Sequence, residues 1–173
     1  MEKTNYNKVL NVFFDNPTEK FYIREIARIT KLNPNTILNI TNKLEKQELI
    51  KKEKKKHIVE LSAVLNEKFK ILKKVTNLEK IYESDIIKIL TEKFSPEAII
   101  IVGSYSIGED IKESDIDIVA LTKKDYESMD LSKFESKLGR KIHLIITDYD
   151  KISDEFYTNL INGIVVYGAI RKK

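Results

Sequence analysis

The sequence of 173 residues contains no cysteine and only two histidines. The absence of cysteine excludes disulfide bonds and zinc sites built on cysteine, and only His57 and His143 can supply an imidazole. No apolar run approaches the roughly 20 residues needed to cross a bilayer, and the N-terminal residues do not resemble a signal peptide. We therefore expect a soluble, cytoplasmic protein with no membrane partner.

The composition predicts a folded protein with two different halves. Hydrophobic residues make up 42% and charged residues 34% of the chain, which supports a packed core and argues against disorder. Residues 1–80 carry 18 Lys and Arg against 10 Asp and Glu, whereas residues 81–173 carry 13 against 17. A basic half joined to an acidic half suggests two units with different partners.

Three helices and a hairpin are predicted in the basic half. The first helix covers residues 5–15, and a short strand at residues 21–23 leads into a second helix over residues 23–29. The third helix is capped by Asn33, has proline at its first position, and runs to about Lys46. Two helices joined by so tight a turn predict a helix-turn-helix.

The residues after the third helix can pair as a hairpin, Leu49–Ile50 with Ile58–Leu61, whose tip holds five lysines among residues 51–56. Helix, helix, recognition helix and basic hairpin is the order of a winged helix-turn-helix. Residues 44–52 also resemble that family's passage from helix to wing, with Glu48 in place of the usual glycine. The resemblance implies binding to double-stranded DNA and, by analogy with such regulators, a homodimer.

Asparagine and threonine on the outer face of the third helix can read base edges, and lysines can hold phosphates. Lysines in the wing would add an attraction that is independent of sequence and sensitive to salt. The simpler alternative is that both are solvated surfaces, and the fold can also serve a protein–protein contact. The candidate DNA-binding residues are Asn35, Thr36, Asn39, Asn42, Lys43, Lys46, Lys54, Lys55 and Lys56.

A helical connector is predicted between the two halves, over residues 62–78, with Ser62 as its cap. Its apolar stripe is interpreted as core, with a dimer seam as the alternative. A further helix is expected from residue 83 or 84 to about Phe94.

Two short β-branched runs in the acidic half, residues 98–102 and 118–121, predict buried strands. Gly103-Ser104 follows the first run. Asp115 and Asp117 open the second, and because strand side chains alternate, both point the same way. Two carboxylates held a few ångströms apart on one face of a strand repel each other, which favours a bound cation between them. Oxygen ligands of this kind suit Mg²⁺ with a bound phosphate.

Gly-Ser, ten intervening residues and Asp-Ile-Asp between two strands resemble the signature of the nucleotidyltransferase superfamily of the DNA polymerase β type. The resemblance covers the second half of the chain and is greatest to the minimal nucleotidyltransferases of prokaryotes. It implies that Asp115 and Asp117 bind Mg²⁺ or Mn²⁺ and that Gly103, Ser104 and Tyr105 hold the phosphates of a nucleoside triphosphate. Minimal nucleotidyltransferases often pair with a helical toxin, so an antitoxin role is a further expectation by analogy.

Two positions depart from the family pattern. On the expected third strand, residues 141–146, His143 stands where the family has an acid, and Ile107 stands where many members have arginine. His143 could be a ligand for a softer metal such as manganese or a general base. Alternatively, the site binds nucleotide without turnover, or binds nothing.

A helix is expected over residues 125–138, and a turn with a final strand over residues 160–168. The predicted fold is α+β: a winged helix-turn-helix over residues 1–61, a helical connector over 62–80, and a polymerase-β-like domain with a mixed sheet flanked by helices over 81–173. The predicted function is that of a DNA-binding transcriptional regulator with a nucleotide-binding second domain. The alternative is an active enzyme that transfers a nucleoside monophosphate to a small molecule or a protein.

Overall fold

The computed structural model describes residues 2–56, 58–124 and 128–171. The chain divides into two compact units, Met1–Lys70 and Ile71–Lys173, so the division falls inside the predicted connector. Within the described ranges, no helix is both long and apolar enough to cross a membrane.

The first unit is a three-helix bundle against a small antiparallel sheet. Its three strands are arranged in the order β1-β3-β2, and Phe21 on the first strand pairs with Leu61 on the last. The helices, the first strand and the hairpin follow one another in the predicted order, and the hairpin of β2 and β3 is the predicted wing. The elements are α1 (Glu2–Asp15), β1 (Lys20–Phe21), α2 (Ile23–Thr30), α3 (Pro34–Lys46), β2 (Ile50–Lys55) and β3 (Ile58–Ala63).

Local sequence explains how α3 begins and ends. The Asn33 side chain accepts a hydrogen bond from the Asn35 backbone N–H at 2.9 Å, which caps the helix start. After the helix, Glu48 adopts φ +59°, a left-handed conformation that glycine adopts most readily. An ordinary side chain adopts it at a cost of about 1–2 kcal/mol.

The core of the first unit is aromatic and aliphatic. Phe13 packs edge-to-face on Phe21, with ring centroids 5.6 Å apart, and Phe14 does the same with Phe69 at 4.9 Å. Phe69 belongs to the helix that follows the wing and is 1% exposed. That helix therefore begins in the first unit.

The second unit is built on a mixed four-stranded sheet in the order β6-β5-β4-β7. Strands β5 and β6 are parallel, and the other pairs are antiparallel. A short 3₁₀ turn, Tyr149–Lys151, precedes α8. The elements are α4 (Glu67–Glu83), α5 (Ile86–Phe94), β4 (Ala98–Val102), α6 (Gly103–Ile107), β5 (Ile116–Leu121), α7 (Ser132–Leu138), β6 (Ile142–Thr147), α8 (Asp154–Ile161) and β7 (Ile164–Gly168).

The two faces of this sheet have separate cores. Ile116 and Ile118 of β5 belong to the cluster that includes α5 and α7, whereas Val119 and Leu121 belong to the cluster of α8. Because side chains alternate along a strand, Asp117, the second residue of β5, lies on the same face as Val119. The helices and the mixed sheet together confirm the predicted α+β class.

Three boundaries differ from expectation. Ser62 does not cap a helix, because β3 continues through it and pairs it with Lys51 and Lys20. The connector helix starts at Glu67 instead, and its apolar stripe is not all core, since Val75 is 58% exposed. Helix α7 begins at Ser132 rather than 125, and residues 125–127 lie outside the described residues. Helix α8 was not predicted.

Candidate functional site

The polar face of α3 points to solvent, opposite the buried Ile37, Ile40 and Leu44. The predicted base-reading and phosphate-binding residues of α3 are exposed except for Thr36, which is half-buried. Asn42 accepts a hydrogen bond from the Lys52 ammonium group, so α3 and strand β2 of the wing are adjacent.

The predicted DNA-binding lysines of the wing, Lys54, Lys55 and Lys56, are exposed, but they are not equivalent. Lys55 pairs with Glu60 at 2.8 Å, and Lys20 reaches the same Glu60 oxygen at 3.3 Å. The hydrogen bond from Lys55 and then that from Lys20 lower the pKa of Glu60, and the pair raises the pKa of Lys55. Within the described ranges, Lys54 and Lys56 have no ion-pair partner, so no acidic side chain of the protein competes for them.

In the second unit, strand pairing brings the two halves of the Gly-Ser and Asp-x-Asp motif together. Asp117 pairs with Val102, the residue before Gly103. Gly103 has φ +69°, and a Cβ placed on it would lie 2.6 Å from Asp117 Oδ2. A side chain would therefore collide with the carboxylate, which sits over the Gly-Ser turn.

His143 also meets Asp117, from the other neighbouring strand. The two residues are register partners in the parallel β5–β6 pair, and His143 Nδ1 lies 3.1 Å from Asp117 Oδ1. When Nδ1 carries the ring hydrogen, it donates to this carboxylate. In the neutral ring, Nε2 then holds a free electron pair, and the imidazole is 63% exposed.

The other predicted site residues fall in different places. Asp115 is exposed and directly precedes β5, while Ser104 is half-buried in the first turn of α6. Tyr105 is 2% exposed and packs in the core, so only its backbone N–H could contact a phosphate. Ile107 is 44% exposed and supplies no cation. Within the described ranges, no three His, Asp or Glu side chains are grouped so that they could hold a metal ion.

Residues 83–168 match the family model of the nucleotidyltransferase domain. The second unit carries a nucleotidyltransferase domain. A solved structure of a mutant ZitR from Lactococcus lactis, in its apo form, is 20% identical, with a TM-score of 0.40, and the match covers 53% of this chain and 70% of that chain. No curated protein matches the chain significantly.

The second unit contains a buried polar cluster that no sequence motif predicted. Its centre is Asp110, which is 0% exposed. Asn77 Nδ2 donates to Asp110 Oδ1 at 2.8 Å, Lys73 Nζ lies 3.4 Å from the same oxygen, and Arg140 Nη2 lies 3.0 Å from Oδ2. The last contact is an ion pair without hydrogen-bond geometry.

The same cluster holds the backbone around Asp110. Lys73 donates to the Asp110 carbonyl, and Asn77 donates to the Tyr105 carbonyl at 3.1 Å. Arg140 donates to the carbonyls of Ile111 and of Ser114, the latter at 3.2 Å. These bonds hold the segment that connects the Gly103-Ser104 turn to Asp115 and Asp117. No local pattern marks Asp110, since its partners are 30 or more residues away along the chain.

Proposed function

We propose that this chain is a double-stranded DNA-binding protein, a transcriptional regulator, whose nucleotidyltransferase domain binds a nucleoside triphosphate. The observation that carries DNA binding is the contact between Asn42 and Lys52, which joins the polar face of α3 to the basic wing. Amides on the helix would read base edges, and lysines on the wing would neutralise phosphates.

Salt dependence tests the DNA-binding part. Each lost phosphate contact should flatten the slope of log affinity against log salt by about 0.9. We expect Lys54→Ala with Lys56→Ala to weaken binding to every duplex and flatten the slope. Lys151→Ala with Lys112→Ala, the same charge change in the second unit, should leave both unchanged. The absence of binding at low salt would contradict this function.

The nucleotide site is supported by the position of Asp117 over Gly103. The backbone N–H groups at Gly103 and Ser104 would face the phosphates, and Asp115 and Asp117 would hold a divalent ion. Magnesium is typically bound by one or two carboxylates together with substrate phosphates, so these two acids fit an ion that arrives with the nucleotide. When bound, such an ion neutralises charge on the triphosphate. Manganese would accept the imidazole of His143 more readily.

Calorimetry with ATP, GTP, CTP and UTP, in Mg²⁺ or Mn²⁺, tests this site. We expect binding of at least one nucleotide by the wild type and none by Asp117→Asn. Gly103→Ala should also abolish binding, because the new Cβ displaces the Asp117 carboxylate. Gly139→Ala is the matched control: its φ is +68°, yet its Cβ would meet nothing within 4 Å. Equal loss in both glycine variants would indicate backbone strain rather than a site.

An active nucleotidyltransferase is the second candidate, favoured by the free Nε2 of His143. The acceptor hydroxyl of a small molecule or protein would lose its proton to Nε2, its oxygen would attack the α-phosphorus, and pyrophosphate would leave. A labelled nucleotide should then become attached to an acceptor. Asp115→Ala with Asp117→Ala should abolish labelling, and His143→Gln should slow it by about 10²–10⁴-fold.

Two partners complete the proposal. A homodimer would suit a regulator that binds two half-sites, and its mass can be measured by light scattering. An antitoxin role, with a helical toxin as partner, rests on analogy with minimal nucleotidyltransferases. Coexpression with a candidate helical partner, followed by measurement of the mass of the complex, tests it.

A further inference from the structure

The polar face of α3 carries one apolar side chain among its amides. Leu38 is 46% exposed, whereas the other aliphatic side chains of this helix, Ile37, Ile40 and Leu44, are buried. At 100° per residue, Asn35, Leu38, Asn39 and Asn42 fall within about a third of the helix circumference. The outer surface of α3 is therefore an asparagine stripe with a leucine beside it.

We infer that α3 reads A·T base pairs in the major groove, with Asn35 and Asn39 on adenine and Leu38 against the methyl group of thymine. This inference rests on the proposed DNA binding and names the class of sequence that is bound. It adds Leu38 to the residues that determine specificity.

The asparagines favour adenine because of their hydrogen-bonding groups. An amide offers one donor and one acceptor side by side, which matches N7 and N6 of adenine, whereas guanine is read by arginine or lysine on N7 and O6. Helix α3 has no arginine, and its first lysine is Lys43. The N-terminal part of a recognition helix, which reaches the base edges, therefore has no reader suited to guanine.

The amides differ in how free they are to read a base. Asn42 accepts a hydrogen bond from Lys52 of the wing, so its amide oxygen already has a partner. The side-chain amides of Asn35 and Asn39 have no protein partner in the described part of the chain. Unpaired donors and acceptors on an exposed face can bond to bases without breaking an internal contact.

Leu38 complements the amides. Thymine is the only DNA base that presents a methyl group in the major groove, and apolar side chains contact it there. A leucine beside two amides that read adenine is placed to contact the methyl group of a thymine. Burial of one methyl group of this size changes affinity about fourfold.

Selection from a random 20-bp duplex library, followed by sequencing, tests the inference. We expect a consensus dominated by A·T pairs. The selected duplex is then made again with deoxyuridine in place of thymine, which removes the methyl groups and keeps the base pairing. Wild type should bind this duplex about fourfold more weakly for each methyl contact, whereas Leu38→Ala should bind both duplexes equally.

Two further variants separate the contributions. Asn39→Ala should lower the preference for the selected duplex over a G·C-substituted one by roughly tenfold. Lys54→Ala should weaken binding to both duplexes and leave their ratio unchanged. These side chains are exposed, so circular dichroism should show that each variant folds.

The outcomes distinguish the inference from the proposed function. Binding with a G·C-rich consensus, or with no consensus, would overturn A·T reading while DNA binding stands. An A·T consensus that is insensitive to deoxyuridine would overturn the role of Leu38. No binding to any duplex at low salt would overturn the proposed function and the inference with it.

Discussion

Glu60 in the first unit and Asp110 in the second are two carboxylates with the same kind of surroundings. Each contacts two basic side chains and one neutral donor. The partners are Lys20, Lys55 and Tyr22 for Glu60, and Lys73, Arg140 and Asn77 for Asp110.

The two clusters differ in their access to water. The side chains of Lys20 and Lys55 are 51% and 53% exposed, whereas those of Lys73 and Arg140 are 1% and 6% exposed. Water screens the Glu60 cluster, so its pairs contribute little to stability and its lysines remain accessible to a phosphate. The Asp110 cluster is desolvated, so its partners depend on one another. Burial, rather than the set of partners, decides what each carboxylate does.

Removal of the buried carboxylate should give the largest effect. Asp110→Ala leaves Lys73 and Arg140 as buried cations without their counter-ion, and we expect the free energy of unfolding to fall by about 3–5 kcal/mol. Urea denaturation measures it. Asp150→Ala removes an exposed pair with Lys123 and should stay close to wild type. Equal stability of the two variants would remove the distinction between the clusters.

Removal of one buried cation should cost less. Lys73→Met keeps most of the aliphatic volume and leaves Asp110 with Arg140 and Asn77. We expect a loss of about 1.5–3 kcal/mol, the range for hydrogen bonds to charged groups. A loss as large as that of Asp110→Ala would show that Arg140 does not compensate for Lys73.

Neutralisation of Glu60, whose side chain is 12% exposed but whose lysine partners lie in water, should act on binding instead. Glu60→Gln frees Lys20 and Lys55, so the stability of the first unit should change little while its affinity for duplex DNA rises at low salt. Fluorescence anisotropy measures the affinity. A decrease in DNA affinity, or a large loss of stability, would show that Glu60 acts as a structural centre like Asp110.

The smallest effect is the pH dependence of the Glu60 cluster. The hydrogen bonds from Lys55 and Lys20 lower the pKa of Glu60, so its contribution to stability is present above the pKa of an unfolded glutamate. It is lost as pH falls from there through the lower, folded pKa. The small difference in unfolding free energy between wild type and Glu60→Gln should disappear over that interval. A difference that grows towards acid pH would have the wrong sign.

Local sequence patterns were sufficient to predict most of the helices and strands of the first unit. Asn33, the proline after it and the apolar spacing predicted α3 with its observed bounds, Pro34–Lys46, because capping and helical periodicity act over a few residues. The end of the wing was misjudged at Ser62, because pairing with β1 and β2 extends β3 further than its own residues indicate. The assignment of the predicted DNA-binding residues remains a prediction.

In the second unit, the sequence motif predicted the nucleotidyltransferase domain but not the buried cluster around Asp110. Gly103, Ser104, Asp115 and Asp117 indicated a nucleotidyltransferase, and residues 83–168 match that domain. The roles of these residues, and the boundaries at 61 and 80, remain predictions.

The sequence by itself determined the two units, the polar stripe of α3 and the turn at Gly103-Ser104, because each depends on neighbours within a turn or a strand. Only the tertiary structure decided that His143 meets Asp117, since parallel pairing joins residues 26 positions apart. It also decided that Asp110 is fully buried between Lys73 and Arg140. The energy of a charge depends on its distance from water and from other charges, and the fold sets both.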